Sequence, residues 1–152
     1  MGKQKEGILV ISDNRKAFHD FFVLDTYEVG IALIGCEVKS IRAGNCNLKD
    51  SFCLIRGKEL FLENMYIKPY EQGSYNNKEP RRERKLLAHK QEIEKMLKAV
   101  KEKGQTIVPL KIYIKGGLVK IEIAVVKGKK LYDKREALKQ KQIKRDIDRE
   151  LS

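Results

Sequence analysis

The residues able to do chemistry in this chain are mostly cations, and they come in three clusters. One is Asn14-Arg15-Lys16 and a second spans residues 78–90, with Lys78, Arg81, Arg82, Arg84, Lys85 and Lys90. The third spans residues 127–145, where Lys127, Lys129, Lys130, Lys134, Arg135, Lys139, Lys141, Lys144 and Arg145 meet only Asp133 and Glu136. Ammonium and guanidinium groups at this density neutralise phosphates and release their counterions, so the chemistry on offer is polyanion binding. His19-Asp20 could act as an acid–base pair, but no nucleophile elbow, phosphate loop or metal spacing accompanies it. Catalysis is therefore not expected. Cys36, Cys46 and Cys53 match no CxxC pattern, and His19 and His89 are too scattered to complete a metal site with them. The cysteines are expected in or near the core as small apolar residues, with no metal and no cofactor.

Composition narrows the partner. Of 152 residues, 41% are hydrophobic, enough for one core, and 36% are charged. Lys and Arg number 33 against 21 Asp and Glu, a net charge of +12, and the sequence pI is near 9.6. Nucleic acid and an anionic membrane surface both fit that balance. No apolar run approaches the ~18 residues of a membrane span, and the start of the chain has no signal-peptide core. The protein is expected in the cytoplasm, away from membranes, with RNA as the leading partner.

The elements that must position these charges can be read from periodicity. Residues 1–7 are polar and basic and are expected to be disordered. Residues 17–24, rich in aromatic and branched side chains, read as a strand; a turn at Asp25-Thr26 leads to a second, residues 27–34. Residues 37–43, stopped by Gly44, suit a short helix. Residues 50–56 and 59–67 flank Gly57-Lys58, a two-residue hairpin connection. A polar loop follows over residues 68–80. Leu86, Ile93, Leu97 and Val100 share one face of a helix that ends at Gly104, and Glu92 stands three residues after His89 in an imperfect capping box. Residues 106–115 and 118–126 meet at Gly116-Gly117, a second tight hairpin. The expectation is a mainly β body over residues 8–126, an OB-fold-like closed antiparallel barrel of about six strands with two or three flanking helices. Pattern alone leaves an SH3-like barrel or an α+β sandwich open.

Residues 127–152 differ. Leu138 lies about 140° from Ile143 on a helical wheel, so no apolar stripe is available to dock on the body. A charged segment that buries nothing stays disordered until a partner orders it, and Gly128-Lys129-Lys130 reads as a hinge. The alternative is a solvated tail without a role. The chain lacks Trp, and most Phe and Tyr fall on strand positions suited to the core, so stacking platforms for single strands are not expected. Cations spread over three clusters suit a folded RNA gripped through phosphates, 2′-hydroxyls and shape.

Specific words then carry a resemblance. Asn14-Arg15-Lys16-Ala17-Phe18-His19-Asp20-Phe21-Phe22 is followed by Gly35-Cys36-Glu37-Val38-Lys39-Ser40-Ile41-Arg42-Ala43-Gly44. Asn47-Leu48-Lys49-Asp50-Ser51-Phe52, Ile67-Lys68-Pro69-Tyr70, Arg84-Lys85-Leu86-Leu87-Ala88-His89-Lys90 and Val108-Pro109-Leu110 continue the series. Lys127-Gly128-Lys129-Lys130-Leu131-Tyr132-Asp133-Lys134-Arg135 closes it. Their ordered succession resembles the SmpB family of SsrA-binding proteins. Phe21, Val29 and Cys36 depart from the residues usual there without changing charge.

The resemblance implies an OB-fold body that binds the tRNA-like domain of tmRNA and, with elongation factor Tu and GTP, enters the A site of stalled ribosomes. The tail, helical in the empty mRNA channel, would contact decoding-centre ribosomal RNA, and the stalled chain would be tagged in trans-translation. By position, Asn14, Arg15, Lys16, His19, Glu28, Lys85, Leu87 and His89 match tmRNA-facing residues. Glu28 would accept hydrogen bonds from base amines, or else is an ordinary turn carboxylate. His89 would donate to RNA or merely cap its helix. Lys129, Lys130, Tyr132, Asp133, Lys134 and Arg135, with Lys139 and Lys141, match the ribosome-contacting tail, where the Tyr132 ring can stack on bases. A monomer is expected.

Overall fold

The computed structural model describes residues 7–70 and 79–129. The chain is mainly β, with nine strands and three helices among the described residues. They run β1 (Ile8–Asp13), α1 (Arg15–Asp20), β2 (Phe21–Ile31), α2 (Gly35–Arg42), β3 (Cys46–Asn47), β4 (Phe52–Arg56), β5 (Glu59–Glu63), β6 (Tyr66–Ile67), β7 (Arg84–Leu87), α3 (Lys90–Lys103), β8 (Thr106–Lys115) and β9 (Leu118–Gly128). Antiparallel pairing in the order β8-β4-β5-β7-β2-β9, with β9 returning to β8, closes six of them into a ring. β1 lines the same edge of β8 that β4 touches only at Ile107.

Both hairpins form where their glycines foretell them. Gly57 and Lys58 have φ of 57° and 69°, and Gly116 and Gly117 have φ of 57° and 76°, the left-handed pairs that match strand twist. Gly44 and Gly104 end α2 and α3 as expected.

Four expectations need correction. Residues 17–20 are helix, not strand. Asn14 caps α1, its Oδ1 accepting from the Ala17 amide at 3.3 Å, and so interrupts an aromatic run that otherwise looks extended. No turn stands at Asp25-Thr26: β2 is continuous, and the register against β9 shifts between Val23 and Asp25, a bulge that absorbs Leu24. The strand expected over residues 59–67 breaks at Asn64 (φ 66°), and its end, β6, pairs with β3 instead. Leu86 lies on β7 and not on α3. That strand lacks an apolar alternation because one of its two inward residues is a buried arginine, Arg84. β1 was also unforeseen, and β9 runs through Gly128, two residues past the expected end of the body.

The main core fills the ring with Val29, Leu60, Leu62, Leu86, Ile107, Ile112, Ile121 and Ile123, and α3 closes over it by burying Met96. A second core lies outside the sheet, where Ala17 of α1 covers Val108, Leu110, Ala124 and Val126. β8 serves both because its register shifts between Pro109 and Lys111, so that Ile107 and Ile112 both face inward despite unequal parity. Proline fits that irregularity, having no amide to contribute to the ladder. Its carbonyl accepts from Asn14 Nδ2 at 2.8 Å, tying α1 to the shifted strand. Among the described residues no helix is long and apolar enough to cross a membrane.

Candidate nucleic-acid interface

The residues expected to meet RNA fall into two groups. The first is on α1. Arg15, Lys16 and His19 are exposed, with Lys16 Nζ 3.2 Å from Asp50 Oδ1 and His19 Nδ1 3.1 Å from Asp20 Oδ1. Asn14 is buried, and both ends of its side-chain amide are engaged by the fold, so it sets the helix that carries the cations. The second group gathers where β2 meets β7 and β9. Leu87, 55% exposed, packs over Gly30, whose missing side chain allows the approach: a Cβ built there would lie 3.3 Å from that of Leu87. Lys85 points outward two residues earlier on β7, 3.6 Å from Glu59. His89 stands at the start of α3, where its amide donates to Glu92 Oε1 at 3.0 Å, forming the expected reach-back of the capping box. Phe21 and Glu28 are seven residues apart on β2, about 23 Å along a strand at ~3.3 Å per residue. The strand therefore separates the two groups and does not bring them together.

Glu28 lies mid-strand, on the outer face, and is no turn carboxylate. The phenol of Tyr113 donates a short hydrogen bond to its Oε2, and Lys115 Nζ lies 3.4 Å from the same oxygen. The Tyr113 hydrogen bond holds the Glu28 carboxyl below the usual carboxylate range, against the opposing effect of burial and with help from Lys115 and Lys120. Burial and then Glu28 itself push the Tyr113 phenol upward. An ionised, oriented carboxylate results, able to accept from the amino or imino edge of an unstacked base.

A second carboxylate is used differently. Glu37 of α2 is 5% exposed and bridges Arg82 Nη2 (Oε1, 2.6 Å) and the guanidinium of Arg84 (Oε2, 2.7 Å). Arg84 also donates to the carbonyls of Met65 at 2.7 Å, Arg82 at 3.2 Å and Pro80 at 3.0 Å. Burial pushes the Glu37 carboxyl upward, but hydrogen bonds from Arg82, the Ile34 amide and Arg84 outweigh it and leave the group below its ordinary value. The cluster ties α2 to β7 and to the turn before it. Two of the cations in the 78–90 cluster are thereby directed inward.

The expectation that Phe belongs to the core fails at three positions. Phe18, Phe22 and Phe52 are largely exposed, the first because α1 turns it to solvent. The tail residue Lys129 rests there, its Nζ 3.3 Å from the Phe18 carbonyl and 5.1 Å from the centre of the Phe22 ring. Lys130, Tyr132, Asp133, Lys134, Arg135, Lys139 and Lys141 lie outside the described residues. Cys53 is buried and Cys36 and Cys46 are half-buried; burial pushes the Cys46 thiol up to about 11. Among the described residues no three His, Cys, Asp or Glu side chains are grouped to hold a metal.

The model of the SmpB protein family matches residues 11–152. The chain belongs to the SmpB family. Its relatives include the SsrA-binding protein of Caldanaerobacter subterraneus subsp. tengcongensis, 53% identical over 150 residues that cover 99% of this chain and 95% of that one. The SsrA-binding protein of Clostridium botulinum strain Hall is 53% identical over 148 residues, covering 97% and 95%. Among solved structures, a chain described under "tmRNA-SmpB: a journey to the center of the bacterial ribosome" superposes with a TM-score of 0.66 at 51% identity. That match covers 81% of this chain and 85% of the other. In this SmpB family member, the contacts of Tyr113 and Lys115 with Glu28 have no counterpart in the sequence reading. Their signal lies in the strand register and not in any local motif, since Tyr113 stands opposite Lys120 on β9, two strands from Glu28.

Proposed function

We propose that this chain binds the tRNA-like domain of tmRNA and delivers it to the A site of stalled ribosomes, the rescue and tagging process of trans-translation. Family membership over residues 11–152 supports the reading, and so does the likeness to a chain described with tmRNA at the bacterial ribosome. The observation that carries it is that likeness, at 51% identity, over a body that turns Arg15, Lys16, His19 and Lys85 to solvent. The body is of the OB-fold type, a reading favoured by the closed antiparallel ring with α3 packed over its core. Asn14, Arg15, Lys16, His19, Glu28, Lys85, Leu87 and His89 serve the tmRNA side, Asn14 by fixing α1. Residues 129–152, with Lys129, Lys130, Tyr132, Asp133, Lys134, Arg135, Lys139 and Lys141, probe the empty mRNA channel and become helical there, the tail starting after the end of β9 at Gly128.

The protein acts as a binding module and not as an enzyme, as a monomer in the cytoplasm. Elongation factor Tu with GTP joins it through the aminoacylated tmRNA. Each phosphate contact contributes a salt-dependent term, log K falling by about 0.7–0.9 per contact per decade of salt.

Copurification tests the reading. RNA recovered with the tagged protein after high-salt washing should be enriched in one stable species with a tRNA-like fold. Recovery of whole ribosomal subunits instead would make it a permanent ribosomal component. Lys134→Ala combined with Arg135→Ala should leave tmRNA binding nearly intact and abolish tagging. A collapse of tmRNA affinity in that variant would contradict the division between body and tail.

A further inference from the structure

The outer face of β2, β9 and β8 carries charged residues in cross-strand rows. Glu28 stands opposite Glu122, which stands opposite Lys111; one step along, Gly30 stands opposite Lys120, which stands opposite Tyr113. Tyr113 is nearly fully buried, yet it belongs to neither hydrophobic core. Its hydroxyl reaches diagonally across β9 to Glu28 Oε2. That reach exists because the shift between Pro109 and Lys111 inverts the alternation of β8. Without it, Tyr113 would share the inward face of Ile107, and its hydroxyl would end up inside the ring.

Lys115 follows two residues later on the same face, 3.4 Å and 3.5 Å from the two carboxylate oxygens. Among the described residues, Glu28 Oε1 therefore meets only this distant ammonium, while Oε2 is taken. A bare carboxylate swings freely and repels a phosphate backbone. Here one oxygen is pinned, the charge is partly offset, and the other oxygen is left presented.

Building on the assignment of Glu28 to the RNA interface, we propose that Tyr113 is a positioning residue for recognition. It fixes the Glu28 carboxylate so that Oε1 accepts from the amino or imino edge of an unstacked nucleobase, while Lys115 offsets the charge that would repel the neighbouring phosphates. Neither residue touches the base; both act through Glu28. The ligand edge is one that carries an N–H donor, the amino group of guanine, adenine or cytosine or the imino N–H of guanine or uracil, and not an edge that offers only acceptors.

A double-mutant cycle tests this, with the full-length chain and an in vitro transcript of the tmRNA tRNA-like domain at fixed salt. Tyr113→Phe keeps the ring and removes only the donor, so the thermal melt confirms folding before binding is read. Tyr113→Phe should weaken binding by about fivefold in the parent background and by less than about twofold in a Glu28→Gln background, the coupling expected of contacting residues. Lys115→Met should likewise lose most of its effect once Glu28 is Gln. Equal, additive losses from Tyr113→Phe in both backgrounds would reduce Tyr113 to a structural role and overturn the proposal, while Glu28 kept its own. If Glu28→Gln itself binds as tightly as the parent, the placing of Glu28 at the RNA falls first.

Discussion

Glu37 and Glu28 are both carboxylates held by hydrogen bonds that keep their pKa below the usual carboxylate range, yet their settings differ. Glu37 lies 5% exposed, and its ion pairs close over the guanidinium of Arg84, itself 1% exposed. Arg82 and Arg84 bind both of its oxygens with three hydrogen bonds and the Ile34 amide adds a fourth, leaving little for any partner. Glu28 is 39% exposed at its side chain, beside a lysine at 44%, and one of its oxygens remains available. The difference is one of solvent and completeness. A buried ion pair must be fully satisfied because an uncompensated charge in the interior costs several kcal/mol, whereas an exposed one can remain partly unsatisfied and be completed by a ligand. The first holds α2 against β7; the second turns an acceptor to solvent, the one proposed for RNA.

The comparison breaks most sharply at Glu37. Glu37→Leu strands Arg84 in the interior, and urea denaturation should show a loss of about 3–5 kcal/mol, enough to unfold a large fraction of the protein. A loss under about 1 kcal/mol would mean that the cluster does not hold α2. The pH dependence should follow. Because the folded state holds the Glu37 carboxyl below its unfolded value, its contribution is present above the unfolded pKa and vanishes as pH falls through the folded one. Denaturation midpoints measured from pH 7 down to pH 3 should therefore drop more steeply in the parent than in Glu37→Gln, with the divergence setting in below about pH 4.5.

Glu28→Gln should reverse the balance. Stability should change by less than about 1 kcal/mol, as for other exposed pairs, while affinity for the tRNA-like domain falls by about tenfold, the scale of one hydrogen bond to a charged acceptor. Asp50→Asn is the mildest test. It removes the exposed Lys16–Asp50 pair, shifts stability by no more than about 0.5 kcal/mol, and should leave RNA binding equal or slightly tighter, since Lys16 is released towards phosphate. Weaker binding in that variant would show that Asp50 positions Lys16 and does not compete for it.

Some of this was legible from residues and some could not be. Gly57, Gly116 and Gly117 announced their hairpins because only a left-handed backbone closes such turns, and Gly44 and Gly104 announced helix ends for the same reason. The exposed cations of α1 were legible because charge shows in composition whatever the fold. The helix under them was not: Phe18, Phe21 and Phe22 read as strand, and only Asn14, a capping residue, hinted otherwise. β7 was hidden by a buried arginine at a position where an apolar residue signals a strand, and that arginine depends on Glu37, 47 residues away. Tyr113 was beyond local reading altogether. Its partner is set by the register of three strands and by a one-residue shift, which are properties of pairing and not of pattern.

The central claim is that the body recognises the contour of a tRNA-shaped RNA and does not merely attract phosphate. Competition binding in one buffer at physiological salt tests it most directly, setting the tmRNA tRNA-like domain against a plain RNA duplex of equal length. A preference of about a hundredfold or more for the tRNA-like domain, reduced by Glu28→Gln and insensitive to Asp50→Asn, is the predicted result. Equal affinity for the two RNAs would contradict it.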